Sequence, residues 1–237
     1  MADALRRPLL LIAGVAEGLG ASLAGTFASA GYDVAGIARS DRAVPVLREL
    51  VEGGGGTYTH LACDLCRPDA VAGVLQPYAG SVAVLVHNAH RLAIKPFADT
   101  SPDEFEGGWK TACLGAMTVA RAVLPSMVAR GDCSVIMTGA TASVRGAANF
   151  AAFAAAKFAL RGFTQSLARE YAPKGVHVVH VILDGLVDEP QTVRRFGSSD
   201  ATRMNSQAIA QVYLDLVRQH PSAWTQELDL RPFSERF

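Results

Sequence analysis

The residues with the most chemical content fall in two places. Gly14, Gly18 and Gly20 directly follow the apolar run Leu9-Leu10-Leu11-Ile12-Ala13 and open a helical stretch. Strand, glycine turn and helix start, in that order, form a cradle for phosphate. Gly14 permits the tight turn, Gly18 lets backbone approach a pyrophosphate, and Gly20 lets the helix pack close to the sheet. The free N–H groups and dipole of the helix then face negative charge. The second place centres on Lys157, in the alanine-rich run Phe153-Ala154-Ala155-Ala156-Lys157. A desolvated lysine could itself hand over a proton. Thr141, Ser143 and Asp184 add hydroxyls and a carboxylate at strand ends. Each has an ordinary alternative: turn residues for the hydroxyls, a backbone cap for the carboxylate. His90 is a further candidate, with a plain loop histidine as its alternative.

Certain elements must position these groups. Short apolar runs at 9–13, 33–37, 57–61, 82–87, 134–138 and 177–182 read as strands. Residues 19–30, 69–78, 102–128 and 150–171 read as helices, and the alternating 225–230 stretch as a last edge strand. Strand–helix alternation implies a parallel sheet covered on both faces. Gly31 and Gly175 are plausible helix stops, and the 53–56 glycine run reads as a flexible loop.

Composition narrows the function. The chain has 237 residues, half of them hydrophobic, with Lys+Arg and Asp+Glu equal at 22 each. One domain with a sizeable core is expected. The charge balance disfavours nucleic-acid or anionic-membrane binding. No apolar run approaches the ~20 residues of a membrane span. Arg6-Arg7 and the leucines after them resemble a secretory signal, but Glu17 interrupts the apolar stretch and cleavage would remove the glycine turn. A first buried strand, in a cytoplasmic protein, is the reading preferred. Cys63 and Cys66 form a C-x-x-C without a matching second pair, so small buried thiols are expected and no metal site.

Taken together, the motifs resemble those of the short-chain dehydrogenase/reductase family. The G-x-x-x-G-x-G spacing is that family's form of the nucleotide fingerprint. Cys63-Asp64-Leu65 resembles the motif whose Asp contacts adenine. His87-Asn88-Ala89-His90 resembles the family's Asn-Asn-Ala-Gly, which supports the central strand and the adenosine pocket; on that basis His90 should lie nearer the adenosine. Lys157 matches the lysine that holds the nicotinamide ribose. The resemblance covers nearly the whole chain. It implies an α/β fold: one Rossmann-type domain over 1–237, with a doubly wound parallel sheet of about seven strands. Cofactor contacts are expected at Gly14, Glu17, Gly18, Leu19, Gly20, Arg39, Asp64, Leu65, Asn88, Ala89 and Lys157.

The same resemblance exposes what is missing. The family's tyrosine gives a proton to the carbonyl oxygen as hydride arrives, and its serine polarises that oxygen. Its lysine lowers the tyrosine's pKa, and its asparagine organises water behind the lysine. Here the tyrosine, serine and asparagine positions hold Phe153, Ala140 and Ala112. The five tyrosines are at 32, 58, 78, 171 and 213, so no shifted alignment restores the motif. Leu183-Asp184-Gly185 also departs from the family's Pro-Gly. Relocated proton donors would be Thr141, Ser143, Asp184 or Lys157 itself. The alternative is a non-catalytic cofactor sensor or partner subunit.

At the end of the second strand, Ala38 replaces the acid that suits NAD, and Arg39 suits a 2′-phosphate. NADP(H) is therefore expected over NAD(H), although Glu17 argues the other way. A substrate lid is expected near 187–205, carrying Arg194, Arg195 and Phe196. Paired arginines there could meet an anionic substrate, or be solvated loop charges. The family's habits imply a homodimer or homotetramer through the two long helices.

Overall fold

The computed structural model describes residues 7–197 and 202–234. Arg6 and the 198–201 part of the expected lid lie outside the described residues. The chain begins with strand β1 (Leu9–Ala13), helix α1 (Leu19–Ser29), β2 (Asp33–Ala38), α2 (Val44–Gly53), β3 (Tyr58–Ala62), α3 (Pro68–Leu75) and β4 (Val82–His87). It continues through α4 (Pro102–Trp109), α5 (Gly115–Arg130), β5 (Cys133–Thr138), α6 (Ala151–Tyr171) and β6 (Val176–Leu183). It closes with β7 (Val187–Asp188), α7 (Pro190–Phe196), β8 (Met204–Asn205), α8 (Ser206–Val217) and β9 (Glu227–Leu230).

Seven strands form one parallel sheet in the order β3-β2-β1-β4-β5-β6-β9. The strand order reverses between β1 and β4, which is where such sheets open a ligand crevice. Two apolar layers cover the faces. One packs α3, α5 and α6 on Leu11, Leu85, Val135 and Val178; the other packs α1, α2 and α8 on Leu10, Ile12, Val84 and Val179. Alternate residues of one strand thus feed opposite layers, as the pleat requires.

Several expectations shift. Residues 53–56 are not a simple flexible loop: Gly53 closes α2, Gly54 and Gly56 pack against the end of α1 and Tyr32, and Gly55 meets Arg7. Helices α4 and α5 are one continuous rod, Pro102–Arg130, joined by a π turn at Lys110–Leu114. By length and composition that rod could cross a bilayer, but half of its apolar window is buried in the core. Its start is fixed by a capping box, in which Ser101 and Glu104 satisfy each other's backbone N–H groups.

Candidate active site

The glycine turn is geometrically demanding. Gly14 has φ +89°, and a Cβ there would come within 2.5 Å of the Ala89 backbone. Gly18 has φ +85° and serves as the N-cap of α1. Both values lie in the left-handed region that favours glycine. Asn88 and Ala89 both donate backbone N–H groups to Ala13 O, at 2.8 and 3.1 Å, and Asn88 Nδ2 donates to Gly14 O at 3.4 Å. The end of β4 therefore holds the turn in place. Asp64 accepts from Cys66 N–H at 3.0 Å, which shapes the loop after β3.

A cavity of about 420 Å³ opens at the carboxyl ends of β4, β5 and β6. Its walls include Asn88, His90, Ala140, Phe153, Lys157 and Glu189. Lys157 projects from α6 and is 2% exposed. Its Nζ donates to Thr138 O at 2.7 Å and lies 5.7 Å from the Phe153 ring centre. Thr138 is held from the other face too, where its hydroxyl pairs with Tyr213 Oη at 3.0 Å. Burial pushes the Lys157 ammonium down to about 7, because a low-dielectric site disfavours the charged form. The cavity thus holds a group that can carry or release a proton near neutrality.

The expected substitutes separate. Of the described residues, Thr141 lines this cavity, whereas Ser143 and Asp184 do not. Ser143 Oγ accepts the Ala140 N–H at 3.1 Å and is fully buried. Thr141 donates its hydroxyl to Asp184, whose other oxygen faces Arg231 at 3.3 Å. Asp184 is thus engaged in an ion pair and a hydrogen bond. Ala112 sits within the π turn, 1% exposed. A π turn is a backbone irregularity often found at functional sites.

His90 was expected nearer the adenosine, yet its ring meets the edge of Phe153 at 6.1 Å between centres, on the wall of the larger cavity. The turn after β4 carries it there.

A smaller cavity of about 130 Å³ lies beyond the glycine turn, lined by Val15, Glu17, Ala38, Ser40, Arg42 and Arg194, among others. Arg39 is exposed and does not line it. Ser40 and Arg42 do, and neither was singled out from the sequence. Arg194 and Arg195 part company: Arg194 faces the smaller cavity and Arg195 the larger. Glu189 was missed as well. Its partner Leu19 is 170 positions away, so no local spacing announces it. The four cysteines are free thiols, and burial raises the pKa of each.

Residues 8–196 match the model of the family described as short chain dehydrogenase. The chain belongs to that family. It is 32% identical over 184 residues to the oxidoreductase UcpA of Escherichia coli (strain K12), covering 76% of this chain and 69% of that protein. The crystal structure of a short-chain dehydrogenase from Rhodopseudomonas palustris superposes with a TM-score of 0.80 at 32% identity, covering 95% of this chain and 98% of the other. A metagenomic short-chain oxidoreductase in complex with NADP gives a TM-score of 0.80 at 25% identity, over 95% and 97% of the two chains.

The residues present fit a nicotinamide dinucleotide. Gly14 leaves no room for a side chain against the Ala89 backbone, and at the head of α1 the Leu19 N–H already donates to a carboxylate oxygen, that of Glu189. A buried lysine stands in the larger cavity, and basic groups stand in the smaller one.

Proposed function

We propose that the protein is an NADP(H)-dependent oxidoreductase in which Lys157 takes over the proton chemistry that the family assigns to tyrosine. The observation that carries this reading is the buried Lys157 ammonium on the cavity wall, held near neutrality beside an aromatic ring that cannot ionise. When bound, the nicotinamide supplies the hydride exchanged with a carbonyl or alcohol carbon. Lys157 gives its Nζ proton to the carbonyl oxygen in reduction and takes it back in oxidation. Phe153 and Ala140 keep water from that exchange. The Thr138 carbonyl orients Nζ through one of its three protons.

NADP(H) is preferred over NAD(H) because Ser40, Arg42 and Arg194 converge on the smaller cavity. Arginine reads phosphate through charge-assisted, paired hydrogen bonds. Glu17 on the same wall argues the other way, and the two arginines outweigh its single charge. Within the described part of the expected lid, α7 acts as a cover, with Arg195 and Phe196 lining the larger cavity.

The test is NADPH and NADH titration by fluorescence or calorimetry, followed by turnover on a panel of carbonyls and alcohols. Tighter binding of NADPH is expected, with turnover that Lys157→Ala abolishes while a folded circular dichroism spectrum remains. Absence of binding by both cofactors would overturn the reading. Binding without turnover would favour the second reading, a cofactor sensor, which the apolar replacements Phe153, Ala140 and Ala112 support.

A further inference from the structure

The larger and smaller cavities meet at Gln191, which lines both. A dinucleotide joins its nicotinamide and adenosine ends through a pyrophosphate, so it needs one continuous trough between them. The glycine turn lies at that junction, and a carboxylate already stands there. Glu189 Oε2 accepts the Leu19 N–H at 3.4 Å, in the first turn of α1. The space a Gly18 Cβ would take is bounded by Glu189 Cβ at 2.4 Å and Oε2 at 2.5 Å. The head of a helix favours an anion, and here the chain supplies one from its own lid. Burial raises the Glu189 carboxyl above its usual range, with the Leu19 N–H pulling the other way.

We infer that Glu189 is a latch. It fills the pyrophosphate seat at the head of α1 and must swing out before a dinucleotide can bind. The inference rests on reading the glycine turn as a phosphate cradle. Two anions cannot share one set of N–H donors, so cofactor and latch compete directly. The surrounding structure suits such a motion. Glu189 is the residue before α7, and no side chain caps that helix. On its other side, β7 is tied to β8 through two residue pairs outside the main sheet. Displacing the latch therefore leaves the seven-stranded core untouched. Because Glu189 directly precedes α7, a swing that includes its backbone carries that helix, which presents Thr192, Arg195 and Phe196 to the larger cavity and Arg194 to the smaller. Cofactor entry is thereby coupled to the shape of the substrate site.

The latch lowers apparent affinity by the fraction of molecules that are open. Couplings of this kind are commonly about 5- to 150-fold. Glu189→Ala should therefore bind NADPH at least about fivefold more tightly than the native protein, with Glu189→Gln in between. In stopped-flow mixing, the native binding rate should level off at high NADPH as opening becomes limiting, and the Glu189→Ala rate should keep rising. Inorganic pyrophosphate is a second probe: it should raise the melting temperature of Glu189→Ala more than that of the native protein. Equal or weaker nucleotide and pyrophosphate binding by both variants would overturn the latch. If no form binds NADPH but pyrophosphate still favours Glu189→Ala, the latch stands and the cofactor reading falls.

Discussion

Phe153 matters less for the hydroxyl it lacks than for what its ring does to Lys157. A tyrosine would have offered the lysine a polar neighbour. The phenyl ring and Ala140 instead leave Nζ with the Thr138 carbonyl as its hydrogen-bond partner. Burial then lowers the ammonium to about 7. If Lys157 is the proton carrier, kcat/KM for carbonyl reduction should fall as pH rises through about 7, because the protonated donor disappears. Alcohol oxidation should rise over the same interval, since it needs the neutral amine. A pH profile of both directions checks this, and parallel profiles would sink it. Restoring the family's pair should change the chemistry again. Phe153→Tyr with Ala140→Ser should raise the reduction rate by roughly 10²-fold or more, the scale of a recovered general acid and oxyanion donor, as read in steady-state assays. These positions were legible in the sequence because contiguous motifs fix them relative to Lys157. Glu189, Ser40 and Arg42 were not, because the fold alone brings them to the glycine turn.

At the scale of elements, α6 is the spine of the site, since it carries both Phe153 and Lys157. Its far half is clamped to the last strand. Arg161 grips Glu227 of β9 with two hydrogen bonds of 2.7 Å. That contact holds the Glu227 carboxyl below its usual range. Both side chains are partly exposed, so solvent screening keeps the pair nearer to a surface bridge than to a buried one. Glu227→Gln should lower stability by about 1 kcal/mol, on the scale of a single net hydrogen bond. Urea midpoints of Glu227→Gln, Arg161→Met and the double variant would isolate the coupling; additive losses would deny the clamp. The seven strands of the main sheet were readable because their apolar or alternating runs are short and bounded by turn residues, whereas β7 and β8, two residues each, leave no such run. Helix α2 was not read at all. It buries just Leu47 and Val51, too thin a stripe to stand out beside the glycines that follow. Helices α7 and α8 escaped for a related reason: they pack on β7 and on α1, contacts that local periodicity does not record.

At the scale of the molecule, Phe105, Trp109 and Phe158 are exposed on α4 and α6, which pack together. We expect this face to join two copies. Phe158→Asp should then shift the mass measured by light scattering toward the monomer, and an unchanged mass would rule the face out.

The charge state of the interior carries the remaining prediction. Among the described residues, His87, His180 and Lys157 are buried basic groups whose charged forms the interior disfavours. Burial pushes His87 down to about 3 and His180 to about 4, and the Lys157 charge pushes both the same way. Lys157 itself is held at about 7. In the unfolded chain these groups revert to about 6.5 for histidine and 10.4 for lysine. Between the folded and unfolded values, the unfolded state binds more protons, so stability rises with pH. Lys157 acts from about 7 to about 10, and the histidines from about 3 to about 6.5. Glu227, with its lowered carboxyl, adds to the acid-side loss; Glu189, with its raised one, opposes it weakly. Each refused proton is worth about 1.4 kcal/mol per pH unit. The melting temperature should therefore fall by several degrees from pH 6.5 to 5, and rise from pH 7 to 9. His180→Leu should flatten the acid limb, and Lys157→Met the alkaline one. Calorimetry across pH 5–9 reads both limbs separately. A flat or inverted profile would mean that these groups take up protons inside the fold, and that Lys157 is no longer poised at neutrality.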